Sequence, residues 1–262
     1  MFLYRQTRFA VAIAISLTCF VFGAGGHLTA LLMWHAVART PGPTRRDRLY
    51  AWQTFWTQGL FALFCALMDL RVEYTLPDRV RLPVIALANH RSWLDIFLLS
   101  GALHRLGSRR LTAVVKREVG WIPVIGPFSR HIRCAHITRR DREADLRAIR
   151  TCAAHTSEDG ASIVLFPEGT RFNDSGEANG VLKPKIGGFA TLFEALPTYP
   201  VLVITVRWPP GVRARTMREG ATLVGARIPI LVSTIEPGNK NASETLAEAW
   251  RRMEEAFSRT PA

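Results

Sequence analysis

Val84-Ile85-Ala86-Leu87-Ala88-Asn89-His90-Arg91-Ser92-Trp93-Leu94-Asp95 is the stretch whose reading decides the fold. An apolar run stops at a polar Asn-His pair, and a carboxylate follows the histidine five residues on. On an unbroken α-helix, positions i and i+5 lie roughly 140° apart, so the two side chains would not meet. They meet if Val84 to Ala88 is a strand, His90 sits in the turn after it and Asp95 opens the next helix. A carboxylate that holds one imidazole nitrogen fixes the tautomer and leaves the other nitrogen as a base. No obvious serine or cysteine nucleophile stands within reach in sequence. The hydroxyl to be activated would then belong to a substrate.

A second block has the same build. Val164-Leu165-Phe166 is apolar and runs into Pro167-Glu168-Gly169-Thr170-Arg171, again a strand followed by a loop. Gly169 permits a tight turn or a close approach of ligand to backbone. Arg171 offers a planar guanidinium suited to phosphate. Alone, such a pentapeptide also suits an ordinary turn with a surface ion pair.

Around the two blocks, apolar runs alternate with helical patterns. Val80 to Ala88, Leu111 to Lys116, Ser162 to Phe166 and Pro200 to Val206 read as strands buried on both faces. Ile96 to His104, Asp141 to His155 and Ile186 to Leu196 read as the intervening helices. Thr222 to Ala226 suggests a further strand, Ile228 to Ile235 an irregular edge, and Ser243 to Ser258 a closing amphipathic helix. The fold class expected is α/β, a largely parallel central sheet flanked by helices. No internal repeat or low-complexity tract interrupts it.

Taken in order, the two blocks resemble those of the glycerolipid acyltransferase family, above all its 1-acyl-glycerol-3-phosphate acyltransferases. The Asn-His-x4-Asp block is Asn89 to Asp95, and the Phe-Pro-Glu-Gly-Thr-Arg block is Phe166 to Arg171. His136-Ile137-Thr138-Arg139 resembles the family's middle block, with His136 where an aromatic is usual. Tyr199 to Ile204 is a looser match to the late proline-containing strand. Lys116-Arg117-Glu118 and Trp121 to Gly126 also look like the family, and the likeness covers roughly residues 75 to 235.

The resemblance implies an O-acyltransferase with His90 as general base and Asp95 as its orienting carboxylate. Arg139 and Arg171 would hold the acceptor's phosphate, with Glu168, Gly169 and Thr170 shaping that pocket and Lys183 a further cation beside it. Asn89 would fix the turn or help polarise the thioester. The donor would be acyl-coenzyme A or acyl-acyl carrier protein, with no bound cofactor and no metal. The acceptor would be 1-acyl-glycerol-3-phosphate, giving phosphatidic acid. Another lysophospholipid or a lyso-aminolipid is the alternative acceptor. A catalytically silent membrane-associated binding protein is the alternative from a different class, which the presence of His90, Asp95 and Glu168 disfavours.

Composition narrows the rest. The chain has 262 residues and a formal net charge of +13. No nucleic-acid motif accompanies that charge, and the basic residues are spread along the chain, so an anionic membrane surface explains it better. The four cysteines (Cys19, Cys65, Cys134, Cys152) are widely spaced and form neither a zinc pattern nor a disulfide framework. His35, His104, His131 and His155 lack partnered motifs.

From Phe9 to Ala38, 30 residues contain no Asp, Glu, Lys or Arg. That is more than the roughly 20 residues that cross a bilayer and less than two crossings. Gly23 to Gly26 interrupts the run, so a kinked span or a shallow hairpin both fit. A cleaved signal peptide would begin in the same way, but the apolar run continues through Leu31 to Trp34. A basic linker, Arg39 to Arg48, leads to an apolar segment, Tyr50 to Leu70, suited to an interfacial helix. Linker charge favours a single span first. The expected organisation is membrane-anchoring helices over 1–72 and a catalytic domain over 73–262. That domain would face the cytoplasm at a bacterial inner membrane, with membrane phospholipids as neighbours and no nucleic acid as partner.

Overall fold

A computed structural model describes residues 1–171, 181–212, 214–236 and 238–258. Its centre is a seven-stranded sheet of β1 (Arg71–Thr75), β2 (Ile85–Ala88), β3 (Leu111–Lys116), β4 (Ala135–Ile137), β5 (Ser162–Leu165), β6 (Val201–Val206) and β7 (Arg227–Ile235), in the order β1-β7-β6-β2-β5-β3-β4. The five strands from β6 to β4 are mutually parallel. β7 runs against β6, and β1 pairs in parallel with β7. The carboxyl ends of β2, β3, β4, β5 and β6 therefore share one edge, where open α/β sheets bind ligands.

Alternation along the strands builds two cores. Ala86 and Ala88 of β2, with Leu202, Ile204 and Val206 of β6, face the helices α3 (Gly42–Met68) and α4 (Asp95–Arg105). Ile85 and Leu87, with Val201 and Val203, face α6 (Arg142–Asp159), α7 (Ile186–Ala195) and α8 (Ala242–Ser258). Every residue of β2, β5 and β6 is buried, as strands covered on both faces require.

Four segments differ from their sequence reading. The first strand pairs only from Ile85, because Pro83 has no amide hydrogen for a ladder. Thr222 to Ala226 forms no strand: it ends a 3-10 helix, Met217–Leu223, opened by a capping box in which the Thr216 amide donates to Glu219 Oε2 at 2.9 Å. The irregular edge expected at Ile228 to Ile235 is a regular strand inside the sheet. Its Pro229 lies just beyond the last β6 pair, Val206 with Ile230, so the missing donor falls outside that ladder. The true edge is β1, whose alternating charged residues gave no apolar run to announce it.

The N-terminal region is two long antiparallel rods. The first comprises α1 (Phe2–Thr18), a π-helical stretch (Cys19–Ala24) and α2 (Gly25–Val37). The glycines expected to interrupt the apolar run overlap the widened turn, and the helix passes through them unbroken. With 36 residues, this rod is long and apolar enough to cross a membrane by length and composition. The second rod is α3, which starts inside the basic stretch first read as linker. Trp56 donates to His27 Nδ1 at 3.0 Å, Arg48 stacks on Trp34, and Arg8 donates to the Leu67 carbonyl.

On its other side α3 is fastened to the globular part at several points along its length. Arg46 Nε meets Asp159 at 2.8 Å, Trp52 packs on Phe128, Gln58 donates to Ser100 at 3.1 Å, and Phe64 meets Trp93. Arg133 completes the fastening at Asp159, at 2.7 Å. The first rod also touches the globular part directly. Ala12 is fully buried in the core, and Phe9 lies against Gly220, where an added Cβ would collide with its ring.

Candidate active site

The turn after β2 is built by hydrogen bonds that leave it little freedom. His90 Nδ1 lies 2.8 Å from Asp95 Oδ2. The same oxygen accepts the backbone N–H groups of Arg91 and Ser92, both at 2.7 Å, and Oδ1 accepts the Trp208 indole N–H at 3.3 Å. Asp95 is fully buried at the first residue of α4, so these donors replace the water it has lost. Asn89 closes the turn from behind. Its amide nitrogen donates to the Val206 carbonyl at 3.0 Å and its oxygen accepts the Val206 N–H at 2.8 Å. Both ends of that amide are occupied, so of the two roles open to Asn89, fixing the turn is the one its contacts serve.

The hydroxyl of Ser92, two residues after His90, is committed elsewhere. It donates to the Ala214 carbonyl at 2.8 Å and accepts the Leu94 N–H at 3.1 Å. Desolvation pushes the Cys134 thiol up to about 11, which favours its protonated form near neutrality. The His90 ring stacks on Phe166 with centroids 4.2 Å apart. Its side chain is 23% exposed beside an Asp95 that is 0% exposed. Nε2 has no hydrogen-bond partner among the described residues, which makes it the nitrogen open to a ligand.

The block after β5 meets this turn from the neighbouring strand. Glu168 is buried, and its Oε1 accepts the His90 backbone N–H at 3.2 Å. Its Oε2 is buried with no partner among the described residues. Burial pushes the Glu168 carboxyl up to about 8, opposed by the His90 and Leu182 amides and assisted by the nearby Asp95. Gly169 takes φ 71°, the left-handed region, and an added Cβ there would lie 3.4 Å from Lys185 Nζ. Thr170 is exposed, and the Arg171 guanidinium donates to the Arg215 carbonyl.

Arg139 stands further off. It follows β4, three strand spacings from β2 and so roughly 14 Å away across the sheet. Its φ is 64°, and Asp145 holds that turn by accepting the Thr138 and Arg139 amides at 2.7 and 2.6 Å. Lys183 is exposed on the way to α7, whereas Lys185 is the lysine that lies over Gly169. The fold thus gathers Asn89, His90, Asp95 and Glu168 into one bonded unit, with Gly169, Thr170 and Arg171 next to it and Arg139 at a distance.

Trp208 and Lys185 are neighbours that sequence reasoning did not single out, and Phe166 was read only as part of its block, without a role. Phe166 and Trp208 each follow a strand that ends at this edge, and that position was the available signal.

The family model described as Acyltransferase matches residues 71–207, just over half of the chain. The chain belongs to the Acyltransferase family. Among curated relatives, a lysophospholipid acyltransferase of Arabidopsis thaliana is 30% identical over 50% of this chain and 32% of its own length. A 1-acyl-sn-glycerol-3-phosphate acyltransferase of Chlamydomonas reinhardtii is 31% identical over 67% of this chain and 48% of its own. A lyso-ornithine lipid O-acyltransferase of Rhizobium meliloti is 29% identical over 55% and 45%. The chain thus spans about a third to a half of the length of these relatives. The crystal structure of the 1-acyl-sn-glycerophosphate acyltransferase of Thermotoga maritima superposes with a TM-score of 0.65 at 18% identity, over 98% of this chain and 100% of the other. Within the Acyltransferase family, this chain has the same fold as that protein.

Proposed function

We propose that the chain transfers a fatty acyl group from acyl-coenzyme A or acyl-acyl carrier protein to the free hydroxyl of 1-acyl-glycerol-3-phosphate, giving phosphatidic acid. One observation carries the reading: Asp95 fixes His90 Nδ1, Nε2 stands open, and the adjacent serine is occupied. His90 Nε2 removes the proton of the acceptor hydroxyl as that oxygen attacks the thioester carbonyl. The tetrahedral adduct then expels the thiolate, which takes the proton back from the imidazolium. Asp95 stabilises the imidazolium and holds its tautomer. The attack is direct, and no acyl-enzyme forms.

Arg171 and Lys185, beside Gly169, bind the acceptor's phosphate in this reading. Arg139 binds from the far side and Lys183 contributes from solvent. No metal or bound cofactor enters any step. The N-terminal region over 1–72, through its helical rods, holds the catalytic domain over 73–262 at the cytoplasmic face of a bacterial inner membrane. The low acidity of Glu168 supports a different task for this residue: its carboxyl braces the His90 backbone and makes no contact with phosphate.

A second reading changes only the acceptor, to a lysolipid such as lyso-ornithine lipid. The similarity to the Rhizobium meliloti protein favours it, as does His136 in the place of an aromatic. Acyl transfer from labelled acyl-coenzyme A to a panel of lysophosphatidic acid, other lysophospholipids and lyso-ornithine lipid decides between them. Product with lysophosphatidic acid alone supports the first reading, and product with another acceptor alone replaces it. Silence of every acceptor with both donors would sink both.

A further inference from the structure

Trp121 and Ile122 stand in water although the backbone around them is tightly held. Trp121 is 74% exposed and Ile122 43%. They end the short 3-10 turn Arg117–Trp121, which leaves β3 at the same sheet edge as the His90 turn. Arg130 donates to the Gly120 carbonyl at 2.7 Å, and the Gly126 amide donates to the Ile122 carbonyl at 2.8 Å. An added Cβ at Gly126 would sit 2.1 Å from the Gly120 oxygen, so only glycine lets the loop close on itself there. Between them Val124 takes φ 68°, a β-branched residue in the left-handed region. Strain of that kind persists only where the surroundings over-determine it. Here it holds two large apolar side chains away from the core.

What lies next to them identifies the partner. Val124 and Pro127 form one wall of a cavity of about 510 Å³ whose other wall is the first rod, through Val21, Phe22, Leu28 and Met33. Phe22 and Met33 are themselves exposed, so the apolar surface of the rod continues across the cavity mouth to the loop. The following helix α5 (Ile125–His131) is fixed to the rods through Phe128, which packs with Leu28, Leu49 and Trp52. Exposed Lys116, Arg117 and Arg130 flank the two apolar residues, with Glu118 as the acid among them. A tryptophan at the rim of an apolar surface, ringed by cations, fits the headgroup level of an anionic bilayer.

We propose that Trp121 and Ile122 form a second membrane contact, inserted beside the N-terminal rod, that holds the ligand edge of the sheet against the lipid surface. It rests on the membrane seat proposed above and extends it from the N-terminal helices to the catalytic domain.

The test uses the full chain in vesicles of anionic and zwitterionic lipid, with acyl chains brominated near the headgroup. The fluorescence difference between wild type and Trp121→Phe isolates one indole, and it should be quenched by the brominated lipid. The double variant Trp121→Ala/Ile122→Ser should lose about tenfold in activity on a vesicle-borne acceptor, the scale of losing one large buried side chain. It should keep its kcat and KM on a short-chain monomeric acceptor. An unquenched Trp121, or equal loss on both acceptors, overturns the proposal. So does a loss seen with acyl carrier protein as donor and absent with coenzyme A, which would make the patch a carrier-protein dock. The quenching arm needs no turnover, so an error in the assigned reaction leaves it intact. Release of wild type from membranes by high salt would sink the membrane seat itself. Retention with an unquenched Trp121 sinks only the second contact.

Discussion

Two buried carboxylates, Asp95 and Glu168, follow the neighbouring strands β2 and β5 at the same sheet edge, and their surroundings are opposite. Asp95 receives a ring nitrogen, two backbone amides and an indole on its two oxygens. Glu168 receives backbone amides alone and keeps one oxygen without a partner among the described residues. Burial by itself does not set what a carboxyl does; the donors supplied with it do. The first arrangement serves an orienting group for a base. The second suits an acid that is mostly protonated at neutral pH and braces the chain at His90.

The largest effects should come from the first turn. His90→Ala should lower kcat by roughly 10²–10⁴ and leave the thermal midpoint near that of wild type. Asp95→Asn should cost a similar factor of about 10⁴ by presenting the wrong tautomer. Activity within tenfold of wild type in either variant would break the comparison on its catalytic side.

Arg171→Ala should act through binding, raising KM for a phosphate-bearing acceptor by on the order of tenfold or more and changing kcat less. An equal rise for an acceptor without phosphate would remove that role.

Glu168→Gln sharpens the contrast through pH. Because the folded-state value is raised to about 8, the Glu168 contribution to stability is fully present below the unfolded value of 4.5. It is lost progressively as pH rises from there through about 8. The thermal midpoint of wild type should therefore fall relative to that of Glu168→Gln across this window. Parallel curves would show that Glu168 is solvated.

The smallest effect should be that of Ser92→Ala, which leaves the Ala214 carbonyl without its hydroxyl donor and costs about 1–3 kcal/mol of stability. Acyl transfer by that variant should continue. Its abolition in a folded protein would point to Ser92 as a nucleophile after all.

Much of this edge was legible in the sequence because its signals are local. His90 and Asp95 lie five residues apart, and a strand–turn–helix reading brings them together without knowledge of the sheet. The β2, β3, β5 and β6 strands announce themselves as apolar runs for the same reason. What was illegible depends on distant partners. Trp208 reaches Asp95 across 113 residues, and Lys185 lies over Gly169 although no local spacing pairs the two. β7 reads as an edge until β1, a strand with charged alternate residues, is found to cover it. The capping box at Thr216 and Glu219 was written in the sequence, but the apolar residues after it spoke louder.

The fastening of α3 along the globular part has a consequence for depth. The first rod has 36 residues, about 54 Å at helical rise, against a hydrocarbon core of about 30 Å. It is tied near one end by Phe9 and Ala12, and near the other through Arg48 of α3, which is itself tied to Asp159 by Arg46. A rod moored at bow and stern cannot send one end to the opposite leaflet without dragging the hull after it. On the membrane seat proposed above, such a rod would lie lengthwise, and lysolipid and product would share a single leaflet.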